Sequence, residues 1–376
     1  MSTYDYIFTG AGAAALSLLT RMVESGKFSS KRILLIDRAP KQQNDRTWCF
    51  WEQGSGYFDE IVYRKWDRLS FHCKEYSKQL DNHPYSYKMI RGIDFYNYCF
   101  ERIHSQTTID QLYGEIEWKP DNSLWVDGKQ IETGGAIVFN SIYTGSNIRE
   151  KDIHYLQHFK GWIIDTGTKT FDSGLATLMD FRIPQDHGVS FVYVMPLTET
   201  KLLVEYTLFS PQLLTEQQYR FGLESYITQF LKVDEYKIIE EEFGVIPMTS
   251  ARFNAVEQGR YNIGTAGGQT KASSGYTFQF IQKQSTKLFH QLTTGGSLSA
   301  VFHQPKRFPY YDKVLLNVLA DGRLPGEQVF GRLFEKNKVS SVFRFLDNET
   351  TPSEEIKIMS TLPFFPFLKA GIKSLF

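Results

Sequence analysis

Few residues in this chain are placed to do acid chemistry. In Leu202-Leu203-Val204-Glu205-Tyr206-Thr207-Leu208-Phe209 a carboxylate stands inside an otherwise apolar strand. Strand alternation puts Leu203, Glu205 and Thr207 on one face. Burying that face would raise the Glu205 pKa by desolvation and keep a donatable proton at neutral pH. Spacing alone leaves open, and by itself favours, a Glu205 that faces water on a half-exposed sheet. Glu52 and Asp180 are secondary acid/base candidates, each with a structural role as the competing reading.

A second kind of chemistry, anion binding, is written at the start. Tyr4 to Leu16 reads as a buried strand, a tight turn and a helix. Gly10 lets the chain turn off the strand, and Gly12 lets the backbone approach a pyrophosphate. Ala15 is the third position of the fingerprint, where a small residue packs the helix on the sheet. The helix N-terminus, predicted to open a helix over 14–25, favours an anion through its unpaired N–H groups and dipole. A second apolar strand, 33–36, ends in Asp37, about 25 residues beyond Gly12, close to the roughly 20-residue offset expected of a carboxylate that accepts ribose hydroxyls.

The loop 44–51 follows, with Arg46 a candidate phosphate contact and Trp48 and Trp51 either flanking a flat ring or plugging the core. Arg91, at a strand-to-helix junction, reads as a cofactor contact or an ordinary ion pair, and Asp94 as a cap of the helix it precedes. Residues 261–278 form a second small-residue loop, in which Gly264, Gly267 and Gly275 allow close backbone approach and a helix is expected to begin near Ser274. One such loop at each end of the chain is the arrangement of an FAD fold.

The elements that must position these residues are strands at 69–76 and 85–90, a hairpin turning at Asp127-Gly128, and a returning strand at 136–140. Strands near 159–164, 189–195, 201–209 and 240–246 read as an antiparallel sheet. Amphipathic helices follow at 279–290, 311–320, 327–337 and 339–346, then a capping box at Thr351-Pro352-Ser353-Glu354.

Composition excludes several classes. With 42 basic and 42 acidic residues, no net charge and no basic stripe, nucleic acid is not an expected partner. Cys49, Cys73 and Cys99 have no metal-ligand spacing, which points to a reducing cytosol. There is no basic leader followed by an apolar stretch, and no window of ~18 apolar residues that would span a bilayer. The tail 362–376, with four phenylalanines, two lysines and no acid, fits either a membrane interface or packing on the domain.

Taken together, these segments resemble the flavin-dependent lycopene β-cyclases, within the glutathione-reductase-like and hydroxylase-like FAD superfamily. The matching stretches are the first loop with Asp37, Arg46 to Trp51, Gly161-Trp162, Leu178 to Arg182, Phe191 to Pro196, Leu203 to Thr207, Ile246 to Thr249, and Gly264 through Tyr276. The resemblance implies an α/β protein with a Rossmann-type FAD-binding domain, an antiparallel substrate domain and a helical C-terminal region; composition and loop position set these at 1–60, 85–105, 130–155 and 255–300, at 61–84, 106–129 and 156–254, and at 301–376. It implies that Glu205 is the essential acid in a non-redox cyclisation of lycopene or a related linear carotenoid. It further implies reduced FAD, with NAD(P)H as the source of reductant, and peripheral contact with the inner face of the cell membrane. Tyr206 stands where the family has a second acid, and Lys271-Ala272 where it has His-Pro. The rival reading is an FAD- and NAD(P)H-dependent monooxygenase or reductase acting on an apolar substrate.

Overall fold

In the computed structural model, which describes residues 3–375, the apolar run Tyr6–Thr9 forms the central strand of a six-stranded sheet. It pairs in parallel with Ile33–Asp37 on one side and Ile137–Asn140 on the other. Arg260–Asn262 and Val256–Glu257 extend one edge, and Ile109–Tyr113 extends the other. The helix Ala13–Glu24 packs on this sheet through Ala15, Leu16, Leu18 and Leu19, all fully buried. The segment 106–129, expected with the substrate domain, therefore belongs with the first sheet. Its strand Ile109–Tyr113 continues the parallel order, and the small sheet Ile116–Trp118, Leu124–Val126 and Lys129–Ile131 covers Ile7, Leu34, Ile36 and Val138. The hairpin turn at Asp127 and Gly128 has positive φ at both residues, as a tight two-residue turn requires.

A seven-stranded sheet carries the acid strand. Its order is Lys237–Thr249, His154–Asp165, Lys201–Ser210, Val189–Pro196, Leu175–Asp180, Arg68–His72 and Ser77–Leu80. The first four are antiparallel as expected; Leu175–Asp180, not among the expected strands, adds antiparallel to Val189–Pro196 and pairs in parallel with Arg68–His72. Arg68–His72 arrives from far earlier in the chain, so local alternation carries no sign of its direction.

The expected loop at 44–51 is largely strand: Thr47–Gln53 pairs with Tyr85–Arg91, which also pairs with Arg64–Trp66. This ribbon bridges the two large sheets. On it Trp51 is buried, stacked on Phe343 with ring centroids 4.3 Å apart and nearly parallel planes, so it plugs the core. Trp48 packs edge-on against Phe95 and reaches the cavity described below. The helix Gly92–His104 has no side-chain cap; Asp94 binds Arg91 instead.

The C-terminal helices Arg307–Asp321, Gly326–Lys336, Val339–Leu346 and Pro352–Met359 pack on one face of the seven-stranded sheet, and Phe364–Ser374 packs in turn on Arg307–Asp321. Thr351 and Glu354 form the reciprocal cap expected of them, with proline opening the helix. The cover is tied to the second small-residue loop by the buried Lys271, whose Nζ meets Asp312 Oδ1 at 2.7 Å and Asn348 Oδ1 at 2.9 Å. Removing one member of a buried pair leaves an uncompensated charge. Lys271→Ala is therefore expected to lower the unfolding free energy by about 3 kcal/mol, read as a lower urea midpoint; an unchanged midpoint would show that the cover is held by apolar packing alone.

Candidate active site

A cavity of about 810 Å³ runs between the two large sheets, from Gly10, Gly12 and Asp37 to Glu205. Its size is that of a site for a large organic ligand. At the near end Gly10 has φ +88°, and a Cβ there would run into the Ser141 hydroxyl. A Cβ on Gly12 would meet nothing within 4 Å, so the backbone at the helix start is open to the cavity. That helix has no side-chain cap and no acid in its first turn, which leaves its N–H groups for an anion. Asp37 accepts a hydrogen bond from the Ala11 N–H at 2.5 Å, which fixes its carboxylate at the turn, and Lys41 lies 3.4 Å from its other oxygen.

Arg46 lines the same cavity and is paired with Asp45 at 3.0 Å. Arg91 does not line it. Asp94 holds its guanidinium at 2.6 Å and Tyr63 stacks on it, so the ordinary ion pair describes this arginine. Ala15 lies wholly within the helix–sheet contact.

The second loop closes the cavity's other side through Thr265 and Ser274 to Phe278. Gly264 has φ +62°, and a Cβ on it would press on the Ala14 methyl at 2.9 Å. Substituents at Gly267 and Gly275 would strike Asn262 and Gln157. Gly275 reaches the cavity; Gly264 and Gly267 shape the turn behind it. The following helix starts at Phe278, not near Ser274, because Lys271 to Gly275 is spent in a turn that Lys271 anchors. Ser274 Oγ and Gln157 Oε1 are buried in this wall without partners among the described residues, as expected of polar atoms that await a ligand.

At the far end Glu205 faces inward with 9% exposure. The water-facing reading is thus displaced, since the strand is central in the sheet and its face is covered by the ribbon and the second loop. Thr207, two residues on, donates to Glu205 Oε1 at 2.7 Å. Around the carboxyl stand Cys49, Leu203, Met195, Tyr193 and Tyr276, and no lysine or arginine among the described residues pairs with it. Burial, then the charge of nearby Glu242, pushes its pKa well above the ordinary 4.5. Burial also pushes Tyr276 up to about 12. Glu52 and Asp180 have structural partners: Glu52 holds the buried Lys88 at 2.8 Å, and Asp180 holds Arg182 and Tyr226 at 2.5 and 2.8 Å.

Glu242 is the residue that sequence reasoning missed. It lines the cavity from Lys237–Thr249, with Thr47 donating to its Oε2 at 2.8 Å. The strand itself is visible in the sequence; its register against Gly161 is not. Tyr206, in the place of a second acid, turns to the opposite face and packs with Leu223 and Tyr219.

A family model described as lycopene cyclase protein matches residues 5–371. A lycopene beta-cyclase from Pantoea ananas is 23% identical, over 98% of this chain and 97% of that protein. Among solved structures, a geranylgeranyl bacteriochlorophyll reductase-like protein from Thermoplasma acidophilum superposes with TM-score 0.66 at 10% identity, covering 100% of both chains. The tetrameric form of 2-methyl-3-hydroxypyridine-5-carboxylic acid oxygenase gives 0.59 at 11% identity, covering 98% of each. These likenesses show a shared α/β architecture, that of the FAD-dependent hydroxylases and geranylgeranyl-reductase-like proteins.

The raised pKa of Glu205 has a consequence for stability. A carboxyl that titrates higher in the folded chain than in the unfolded one contributes stability that is full below about pH 4.5 and is lost as pH rises through the folded value. Glu205→Gln removes that loss. Its urea midpoint is expected to exceed the parent's at pH 8 and to approach it at pH 5; a gain that does not change with pH would contradict the shift.

Proposed function

The chain belongs to the lycopene cyclase family, and from that premise we propose that it closes the linear ψ-end groups of lycopene into β-ionone rings by acid-initiated, non-redox cyclisation. The observation that carries this reading is the buried Glu205, with no lysine or arginine paired to it among the described residues, at the end of the cavity walled by Leu203, Met195, Tyr193 and Tyr276. A carboxyl kept protonated there can deliver its proton to a terminal C=C bond. The neighbouring double bond then attacks the tertiary cation, and a base removes a ring proton. The proton added is balanced by the proton lost, so the product is an isomer.

The open backbone at Gly12, the uncapped helix start and the unpartnered Ser274 and Gln157 suit FAD. Gly10, Gly12, Arg46 and the helix start would hold its diphosphate, Asp37 its ribose, and the turn at Gly275 its flavin side. When bound in reduced form, with NAD(P)H as the reductant, FAD supplies negative charge that favours a nearby cation. Tyr193, Tyr276 and Phe159 wall the same end; they exclude water that would quench a cation and offer it ring faces.

Incubation with lycopene in liposomes, FAD and a trace of reductant without oxygen is expected to yield a product of unchanged mass and blue-shifted absorption. Glu205→Gln is expected to lower the rate by at least about 100-fold, the scale of a lost general acid. Stoichiometric NAD(P)H consumption or a mass change would move the chain to the redox reading.

An apolar substrate of this length resides in membranes, and the helix Phe364–Ser374 suits the surface of one. Ala370 and Ser374 dock it on Arg307–Asp321, with Lys313 and Asn317 bonded to Ser374. Phe364 and Phe365 point outward at 68% and 80% exposure, with Leu368, Ile372 and Leu375 beside them. Phe376 lies outside the described residues. No helix among the described residues is long and apolar enough to cross a bilayer, so we assign peripheral contact at the inner face of the membrane. Replacing Phe364 and Phe365 together by Glu is expected to cut sedimentation with liposomes about tenfold or more, with the fold intact because both side chains stand in solvent.

A further inference from the structure

We propose that Glu205 and Glu242 form a carboxyl pair that shares one proton across Gly161, and that this pair, not Glu205 alone, is the acid of the site. The inference rests on the cyclase reading for its chemistry and on geometry for the pair itself.

Gly161 lies in the middle of His154–Asp165, opposite Glu205 in one neighbouring strand and opposite Glu242 in the other. All three positions therefore fall on one level of the sheet. With no side chain at Gly161, the two glutamates flank an empty notch. A Cβ there would sit 2.9 Å from Glu242 Cγ, 3.0 Å from its Oε1 and 3.2 Å from a Leu203 methyl. Glu242 Oε1 thus lies directly over the glycine.

The hydrogen bonds leave one oxygen of each carboxyl to the other. Thr207 takes Glu205 Oε1, and Thr47 takes Glu242 Oε2. Glu242 Oε1 is buried with no donor among the described residues. The side chains of Glu205 and Glu242 are within hydrogen-bonding reach of each other. Two carboxylates are acceptors only, so that contact is satisfied when one of them carries a proton. Two adjacent buried negative charges would also repel strongly, which again selects the one-proton state.

Nothing else around the pair can take over either role. From Thr47–Gln53 it faces Cys49, from Val189–Pro196 Tyr193, and from the second loop Tyr276. Burial raises all three, which keeps them neutral. Glu240, on the same strand as Glu242, is engaged by Asn44 at 2.8 Å. Lys160 lies next to Gly161 but faces away, held by Glu216 and Glu241. Burial raises both carboxyls; the charge of Glu242 lifts Glu205 further, while the hydrogen bonds from Thr47 and Glu205 work to lower Glu242, so the shared proton favours Glu205.

The chemistry then balances within the pair. Glu205 transfers its proton to the terminal alkene carbon, and the pair carries two negative charges while the substrate carries one positive. Loss of the ring proton back to the pair restores the one-proton state, with no net electron or proton change. Glu242 acts as a positioning and proton-sharing partner through Glu205.

Glu242→Gln keeps a hydrogen-bonding group in place but removes the shared charge, so Glu205 should titrate at lower pH. Infrared spectra of the full-length protein with labelled glutamate carboxyls, taken without substrate, are expected to show one protonated carboxyl in the parent at pH 8. In Glu242→Gln that band should disappear at lower pH, and in Glu205→Gln it should be lost. In turnover, Glu242→Gln is expected to lower kcat about 100-fold at pH 8 and about tenfold at pH 6, with KM unchanged; Glu242→Asp should recover part of the alkaline activity. A band that titrates identically in parent and Glu242→Gln, or a uniform loss of activity at every pH, would overturn the pair. If the parent protein does not cyclise lycopene at all, the cyclase reading fails, while the infrared titration still decides whether the pair exists.

Discussion

The constraint on which the molecule depends is desolvation of a carboxyl that is given no cation. Taking Glu205 out of water disfavours its ionised form. A lysine or arginine beside it would undo that effect. The surroundings of Glu205 are therefore hydroxyls, aromatic rings and a second acid, and every basic group nearby is turned away and paired. The seven-stranded sheet supplies the rigidity to hold such a group. Its central strands leave side chains little freedom, and the ribbon from Thr47–Gln53 seals the face from above while contributing the threonine that holds Glu242.

The same constraint links the two ends of the site. The cavity is continuous from the open turn at Gly12 to Glu205, so whatever fills the Gly12 end also excludes water on the way to the carboxyl. The second loop lies between them and is braced from behind by Lys271, which reaches into the C-terminal cover. Position 271 thus couples the helical cover to the wall of the site.

Much of this was legible in the sequence, for identifiable reasons. The first βαβ unit announces itself because glycine spacing, apolar periodicity and a terminal carboxylate all describe one local unit, Tyr6 to Asp37. The C-terminal helices and the Thr351 cap were visible because helix signals are local too. What the sequence hid was non-local. The strand Thr47–Gln53 reads as a loop because its partner is Tyr85–Arg91, and 106–129 reads apart from the first sheet because Ile109–Tyr113 joins it through parallel pairing with Ile33–Asp37.

Glu242 is the most instructive of these cases. The sequence neighbour of the acid, Tyr206, invites comparison with a second carboxylate, but adjacent residues in a strand point to opposite faces. A partner for Glu205 must come from another strand, and the strand next to it contributes glycine at that level. The carboxyl then has to come from one strand further, reaching over Gly161, and this works only because position 161 carries no side chain. Register between strands set far apart in the chain is fixed by the whole sheet, so no window of sequence contains it. A carbocation reaction favours this arrangement over a lysine–glutamate pair: a cation would both acidify the donor and repel the positive charge the donor creates, whereas a second carboxyl raises the donor and attracts that charge.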